Sequence, residues 1–516
     1  MKNNLFIGLL LVFTACSDFL EEYSQDLARV ETVADLDELL LGSTYQYAGK
    51  ISYQSSSTSI DGSPYNIFIH FMSDELEQNA VAESSSTIFY STADLFGYYT
   101  WQRQVGSDTK GTSIGTEDAY WKATYKYINT ANMIIDELGR VSTNGSKEAA
   151  DKIRIEGETY FLCAFYYFNL VNLYADPYTP SKAAATRGVP LKTTSYVEDK
   201  EFSCSNVADV YEQIINDLQK AEKCLAQTER KSVYRADLTA TYLLMSRVYL
   251  YMQDYKNACT YAQLVLDRNN ALFDLNTFAG TDNVLTAQSP ETIFSMGGHL
   301  LAAYLAGSDL YEEENPFFIS EDLINAFDNE NDLRKTLYIK EGPYGYLFKK
   351  VSWGRQHFNE TCSVSDNALF RTSEAYLNLA EAAALDNDEG TARRILGLLQ
   401  AKRYSTAPVI SESGNALVQL IREERQRELC LEGHRWFDLR RYAACEKYPW
   451  SKTYRHSFTE FKFRGWDKVP VLTRTYELQA NDKAYTMAFP TEVLNFQNTL
   501  NKNERPEREP IRTINH

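Results

Sequence analysis

The chain has 516 residues, 44% of them apolar, which is enough for a sizeable core and excludes disorder as the reading of the whole. A net charge of −18 excludes a phosphate-tracking nucleic-acid surface and a polybasic membrane patch, so a partner is neutral or makes only local charge demands. The HExxH, Walker A and GxGxxG strings are absent, and Cys16, Cys163, Cys204, Cys224, Cys259, Cys362, Cys430 and Cys445 are scattered with no CxxC and no His cluster, which leaves no support for a structural zinc, a disulfide framework or a nucleotide enzyme.

Residues 1–15 read as an export signal, with Lys2 ahead of an apolar run from Leu5 to Ala15 that is too short to span a bilayer. Thr14-Ala15-Cys16 resembles a lipobox, in which Cys16 is the site of lipid attachment, and no later run is apolar enough to cross a membrane. A first helix is predicted over 30–48, with Thr32 as N-cap and Leu36, Leu39, Leu40 and Tyr47 on one side. From Ser52 to about Thr116 the chain is rich in Ser, Thr and Gly with embedded aromatics, a length of irregular chain that tends to be functional. Helices resume at Tyr120, where Trp121, Tyr125, Ile128, Asn132 and Ile135 keep a helical step, and further helices are predicted over 149–174 and 207–225.

Within 231–270, Tyr242, Met245, Ser246 and Tyr249, followed by Ala258 and Ala262, match a tetratricopeptide-like helix pair. Tyr376, Leu379, Ala380, Ala383, Ala392 and Leu396 repeat the pattern within 371–403, and degenerate copies fall around Trp121–Asn132 and Tyr160–Tyr167. Residues 270–365 between the pairs lose the helical period and form a second insertion of turns and aromatics. Beyond Tyr442 the tail reads as loop, with one short strand-like stretch near Tyr485–Phe489. The expected fold class is mainly α, a helical-repeat scaffold whose long loop-rich insertions carry little β structure.

The stretch Gln419–Arg441 is dense in charge yet laid out on a helical period: Leu417, Leu420, Ile421, Leu431 and Leu439 share a stripe with Glu424, Glu428 and Arg435. Carboxylates on an apolar face need guanidinium partners, which Arg422, Arg425 and Arg427 offer from the same helix, while Glu423 and Arg427 are spaced as an exposed pair. Gly433 is expected to end a first helix and His434–Tyr442 to start another. A structural ion-pair helix is the principal reading; His434 as a catalytic base is the alternative.

The string from Arg427 to Arg441, Arg-Glu-Leu-Cys-Leu-Glu-Gly-His-Arg-Trp-Phe-Asp-Leu-Arg-Arg, resembles the signature of the SusD/RagB family, the surface nutrient-binding lipoproteins of Bacteroidetes, with Glu424, Glu428, Arg435 and Asp438 as structural positions. The Trp121–Ile135 spacing resembles another element of that family, Ser17–Glu22 its surface-sorting signal, and Phe489-Pro490-Thr491-Glu492 its C-terminal pattern without the usual second Pro. The resemblance implies a SusD-like organisation: signal peptide 1–15, N-terminal region 16–230, the helix pair 231–270, and a C-terminal region 271–516 that contains the second pair 371–403 and the signature helix 415–441. It further implies lipid anchoring on the outer face of the outer membrane, binding of oligosaccharides, and a role as lid of a SusC-like TonB-dependent transporter. No catalytic residue, cofactor or metal is implied.

Among the aromatics, 36 of which are Tyr, a ligand platform is sought on the insertions, because a pyranose packs flat on Tyr or Trp while polar neighbours read its hydroxyls. The candidates are Tyr65, Tyr98, Tyr99 and Trp101 in the first insertion, and Tyr304, Tyr311, Tyr344, Tyr346 and Trp353 in the second. A peptide-binding member of the same family is the alternative, and a glycoside hydrolase using loop acids such as Asp61, Asp74, Glu75, Glu117 and Asp118 is a further one. Gly111-Thr112-Ser113-Ile114-Gly115 fits the nucleophile-elbow string but follows a polar loop rather than a buried strand.

Overall fold

The computed structural model describes residues 30–46, 66–80, 95–113, 117–196, 198, 201–278, 284–296, 301, 305, 316–327, 330–342, 345–351, 364–465, 467–496, 500 and 503–516. Helix α1 (Val33–Ser43) starts at Thr32, whose hydroxyl accepts from the Asp35 N–H while the Asp35 carboxylate returns to the Thr32 N–H, a reciprocal cap. It is shorter than its sequence pattern suggests, and Tyr47 lies outside the described residues. The first insertion contributes α2 (Phe68–Met72), β1 (Leu76–Gln78) and α3 (Phe96–Tyr99).

The scaffold follows as α4 (Glu117–Leu138), α5 (Ser146–Tyr174), α6 (Val207–Leu225), α7 (Leu238–Tyr251) and α8 (Tyr255–Arg268). The second insertion holds β2 (Thr292–Ser295), β3 (Phe317–Ile319), α9 (Glu321–Ala326), α10 (Arg334–Tyr338), β4 (Ile339–Glu341), β5 (Tyr346–Phe348) and β6 (Leu369–Arg371). Helices α11 (Thr372–Leu385), α12 (Glu389–Gln400), α13 (Gly414–Glu428) and α14 (Arg435–Ala443) complete the scaffold. Each helix from α4 to α8 packs on its neighbour, α8 packs on α11, and α11 on α12 and α13, so the stack is continuous although an insertion of about a hundred residues divides its sequence. The small residues explain the close approach: Ala258, Ala262, Ala380 and Ala392 are fully buried, and Asn378 donates to Ser246 Oγ at 3.2 Å between α7 and α11. Arg247 and Glu374 clamp the same two helices through paired contacts of 2.6 and 2.7 Å.

The C-terminal tail departs from its loop reading. It forms a long antiparallel hairpin, β7 (Tyr454–Arg464) and β8 (Asp467–Leu478), then the short helix α15 (Thr491–Phe496) and β9 (Arg512–Asn515), which pairs with β8. Tyr454, His456 and Phe458 are buried at alternate positions, the period-two signal of a half-buried strand. Tyr485–Phe489, read as strand-like, is instead the end of a 3₁₀ turn and extended coil. The two insertions meet in one antiparallel sheet, ordered β1-β3-β5-β4, and Gln78 ties that sheet to the tail by hydrogen-bonding both the N–H and the carbonyl of Thr459.

The signature helix also ends earlier than Gly433. Helix α13 stops at Glu428, whose carbonyl accepts from Lys350 Nζ at 2.7 Å and Arg371 Nη2 at 2.5 Å, and the chain turns through Leu431 (φ 57°) and Gly433 (φ 79°). A Cβ on Gly433 would lie 2.9 Å from Asn367 Cα, so glycine is required there for space as well as for backbone angle. Glu423 is exposed, while Arg427 pairs with Glu424 at 3.0 Å rather than with Glu423.

Glu428 is the centre of a buried charge network. Its two oxygens accept from Arg371 at 2.6 Å, from Arg403 at 2.8 and 2.9 Å, and from Arg334 at 3.0 Å. Arg403 and Arg371 also grip Glu291 at 2.6 and 3.0 Å, and Arg334 grips Asp332 and Glu424. Burial alone would raise these carboxyls, but Arg403 and Arg371 hold Glu428 well below the usual carboxylate range, and Arg334 and Arg427 hold Glu424 at about 2. Among the described residues no helix is long and apolar enough to cross a membrane.

Glu428→Gln strips the charge from the centre of the network and leaves buried guanidiniums under-compensated, so it is expected to cost roughly 3–5 kcal/mol in urea unfolding at pH 7. Because Glu428 has a folded pKa below its unfolded one, its contribution is present above about pH 4.3 and is lost as pH falls toward the folded value. The gap between wild type and variant should therefore narrow in acid; a gap that is constant from pH 7 to 3 would contradict this account.

Candidate functional site

Of the aromatic candidates in the first insertion, Tyr98, Tyr99 and Trp101 are packed into the core. Tyr98 stacks on Phe68 at 4.7 Å, and Trp101, with φ 53° and no exposed surface, donates its indole N–H to the Met72 carbonyl at 2.9 Å. His456 from β7 is sandwiched between Tyr99, at 4.1 Å, and Trp101, at 4.4 Å. Ring faces spent on one another cannot form an open platform, so in this arrangement Tyr99 and Trp101 hold the insertion to the hairpin through His456, and Tyr99 also borders a groove. Tyr346 is half-buried on β5, opposite Ile319 of β3. Tyr65, Tyr304, Tyr311, Tyr344, Trp353 and Cys16 lie outside the described residues.

The groove has a volume of about 610 Å³ and opens between β1, the start of α9 at Ser320–Asp322, and Thr453–Ser457. Its walls bring Glu77, Asp322, Arg455 and the Thr453 and Ser457 hydroxyls together over Asp74 and Tyr99. Alternation builds this wall: on β7, Tyr454 and His456 turn inward while Arg455 and Ser457 stay exposed. Sequence reasoning missed Glu77, Asp322 and Arg455; the alternation around Tyr454 was the signal that could have found the last.

Electrostatically the groove is acidic. Against burial, Arg435 at 2.7 and 2.8 Å and Lys452 keep Asp74 ionised and far below the usual carboxylate range. Burial raises the Glu77 carboxyl. Burial also lowers His456 to about 4, and its Nδ1 lies 2.7 Å from the Tyr99 carbonyl, which makes Nδ1 the donor of a neutral ring. A second cavity of about 470 Å³ has an amide-rich wall of Gln102, Gln104 and Asn503 beside Phe489.

Among the described residues, the catalytic alternatives find no poised group at the positions the sequence offers. Asp74 is spent on two cations, Glu75 is sealed beneath the groove, and the side chains of Glu117 and Asp118 and all of Asp61 lie outside the described residues. His434 is buried 3.3 Å from Arg425, and burial with surrounding guanidiniums, Arg247 first, drives its pKa well down. Ser113 sits in a tight turn opposite Ser107, with Asp108 accepting from the N–H groups of Lys110 and Thr112 at 2.9 and 2.8 Å, which is not a strand-to-helix elbow.

Comparison with known proteins places these features in a family. Residues 19–250 match a family model described as starch-binding and associating with the outer membrane, and residues 319–505 match the SusD family model. SusD-like protein P2 of Formosa agariphila is 29% identical over 55% of this chain and 49% of its own length, so the match spans about half of that relative. SusD-like protein P38 of the same organism is 22% identical over 63% of this chain and 72% of its own. A SusD superfamily protein from Bacteroides thetaiotaomicron superposes with a TM-score of 0.67 at 20% identity, covering 92% of this chain and 100% of the other. A SusD-like carbohydrate binding protein from Bacteroides vulgatus gives 0.67 at 21% identity, over 92% and 98%.

Glu75 supplies a test of the groove's floor. Burial and the charge of Asp74 raise its carboxyl to about 8, and its Oε1 accepts from the Leu431 N–H at 3.1 Å. A raised folded pKa favours the protonated fold below the unfolded value of about 4.3, and that advantage is lost as pH climbs to about 8. Glu75→Gln, which mimics the neutral acid at every pH, should therefore gain stability relative to wild type between pH 5 and 8, read from urea midpoints across that range.

Proposed function

Because the chain belongs to the SusD/RagB family, we propose that it is a cell-surface lipoprotein, anchored through Cys16 in the outer membrane, that captures oligosaccharides and delivers them to a SusC-like TonB-dependent transporter as its lid. The observation that carries the reading is the family match across both halves of the chain. The chemistry of the groove supports it: hydroxyls, carboxylates and a guanidinium around a volume of about 610 Å³ suit a polyol, and the carboxylates would repel uronic acids. Binding needs no covalent step; the energy for uptake would come through the transporter.

The test is isothermal titration of the mature protein against neutral oligosaccharides, uronate-bearing oligosaccharides and a peptide digest. Saturable binding of a neutral glycan is expected, weakened about tenfold, or about 1.4 kcal/mol, by Glu77→Gln combined with Arg455→Ala. Full affinity in that double variant, with loss in Tyr304→Ala, would move the site to the insertion loops. Binding of peptides alone would assign the chain to the RagB-like branch, and new reducing ends in the glycan mixture would make it a hydrolase.

A further inference from the structure

Elsewhere in the signature region the charge balance of the core fails at one place. Arg422, Arg425, Arg427, Arg435 and Arg441 each meet a carboxylate, but Arg440, 3% exposed, donates one Nη2 to the Ala175 carbonyl and, at 3.4 Å, to Thr486 Oγ1, leaving Nε and Nη1 buried without a partner. Arg505, 4% exposed and close to the C-terminus, donates Nη1 to the Thr486 carbonyl at 3.2 Å, and its Nε and Nη2 are likewise buried and unpartnered. Trp436, one helical turn before Arg440 on α14, stacks on Tyr485 at 4.9 Å, and its indole N–H is a further unpartnered buried donor. All three side chains thus gather on the Tyr485–Thr486 dipeptide, two of them as full positive charges with no carboxylate within ion-pair distance among the described residues.

A buried donor left unmade costs about 1–3 kcal/mol, and more when the group is charged. Two buried guanidiniums that meet at the same Thr486 compound that cost. The usual neighbours do not discharge it: Asp176 is reached only through Thr486, whose hydroxyl donates to it at 2.6 Å, and Asp482 is held by Arg508 at 2.8 Å. We propose that the unpartnered N–H groups of Arg440 and Arg505, joined by the Trp436 indole, form an internal binding site for a small inorganic anion of the chloride class, which staples the C-terminal segment around Arg505 onto α14. Burial pushes Arg440 down to about 10 and, with Arg508 adding repulsion, Arg505 down to about 9. A guanidinium does not shed its proton at neutral pH, so a bound counter-ion is the way this pocket meets the same demand. The inference is independent of the ligand assigned to the groove.

The test uses the mature chain. Crystals soaked in sodium bromide should show an anomalous peak within hydrogen-bonding reach of both guanidiniums and the Trp436 indole. Thermal unfolding at constant ionic strength, with chloride replacing gluconate, should raise Tm by about 2 °C or more, and Arg505→Gln should abolish that dependence. Water at the position in bromide-soaked crystals, an unchanged Tm, or the same chloride dependence in Arg505→Gln would each overturn the site. The bromide experiment needs only the wild-type protein, so a variant that fails to fold leaves the proposal open to refutation.

Discussion

The structure depends on the buried carboxylate of Glu428 and the three guanidiniums that converge on it. Arg371 stands at the start of α11, Arg403 just beyond α12 and Arg334 at the start of α10, so a single side chain of the signature helix fixes both helices of a repeat and the second insertion in one arrangement. Such a cluster adds little net stability over well-packed apolar side chains, because desolvating the ions offsets their attraction. What it supplies is discrimination: any docking of the insertion that misses the network strands several buried charges. A helical stack, in which each helix packs mainly on its neighbours, gains from this one position a constraint that ties a repeat to the second insertion.

The groove takes its geometry from the turn and helix that follow Glu428. Arg435, at the first position of α14, holds Asp74 in a paired grip, and Asp74 lies just ahead of β1. Leu431, in the turn between α13 and α14, donates to Glu75. The wall opposite is set by the sandwich of Tyr99, His456 and Trp101, in which a neutral imidazole lies between two rings and its N–H is used on the Tyr99 carbonyl. The first insertion is therefore held by ions on one side and by aromatic stacking on the other, although its sequence has the composition of a loop.

That composition is why the sequence was only partly legible. Helices over long periodic stretches, such as 207–225, were readable because one apolar face repeats without interruption. Short elements such as β1 and α3 carry too few residues to show a period, and their burial comes from partners hundreds of residues away, Phe458 and Thr459 among them. The β7–β8 hairpin was legible in principle, since Tyr454, His456 and Phe458 alternate, but Glu460, Lys462 and the Arg residues that follow blur the pattern into a polar tail. The ion-pair character of Glu424 and Glu428 was readable from their place on an apolar stripe; their principal partners Arg334, Arg371 and Arg403 were not, because charge complementarity across a fold leaves no mark on local spacing.

Where the electrostatic perturbation is spent also bears on what the protein does. Strongly shifted ionisable groups often mark catalytic clefts, because an acid or base must be tuned to its task. Here Glu428, Glu424, Arg371 and His434 are shifted deep inside the scaffold, with their hydrogen-bonding atoms turned to one another, so their shifts report architecture. In the groove the most perturbed acid, Asp74, is locked in the ionised form by two cations and cannot exchange a proton near neutral pH. A concave surface lined with hydroxyls, carboxylates and a guanidinium would recognise a ligand by hydrogen bonds that form and break without covalent consequence. Capture followed by release requires that kind of reversible contact.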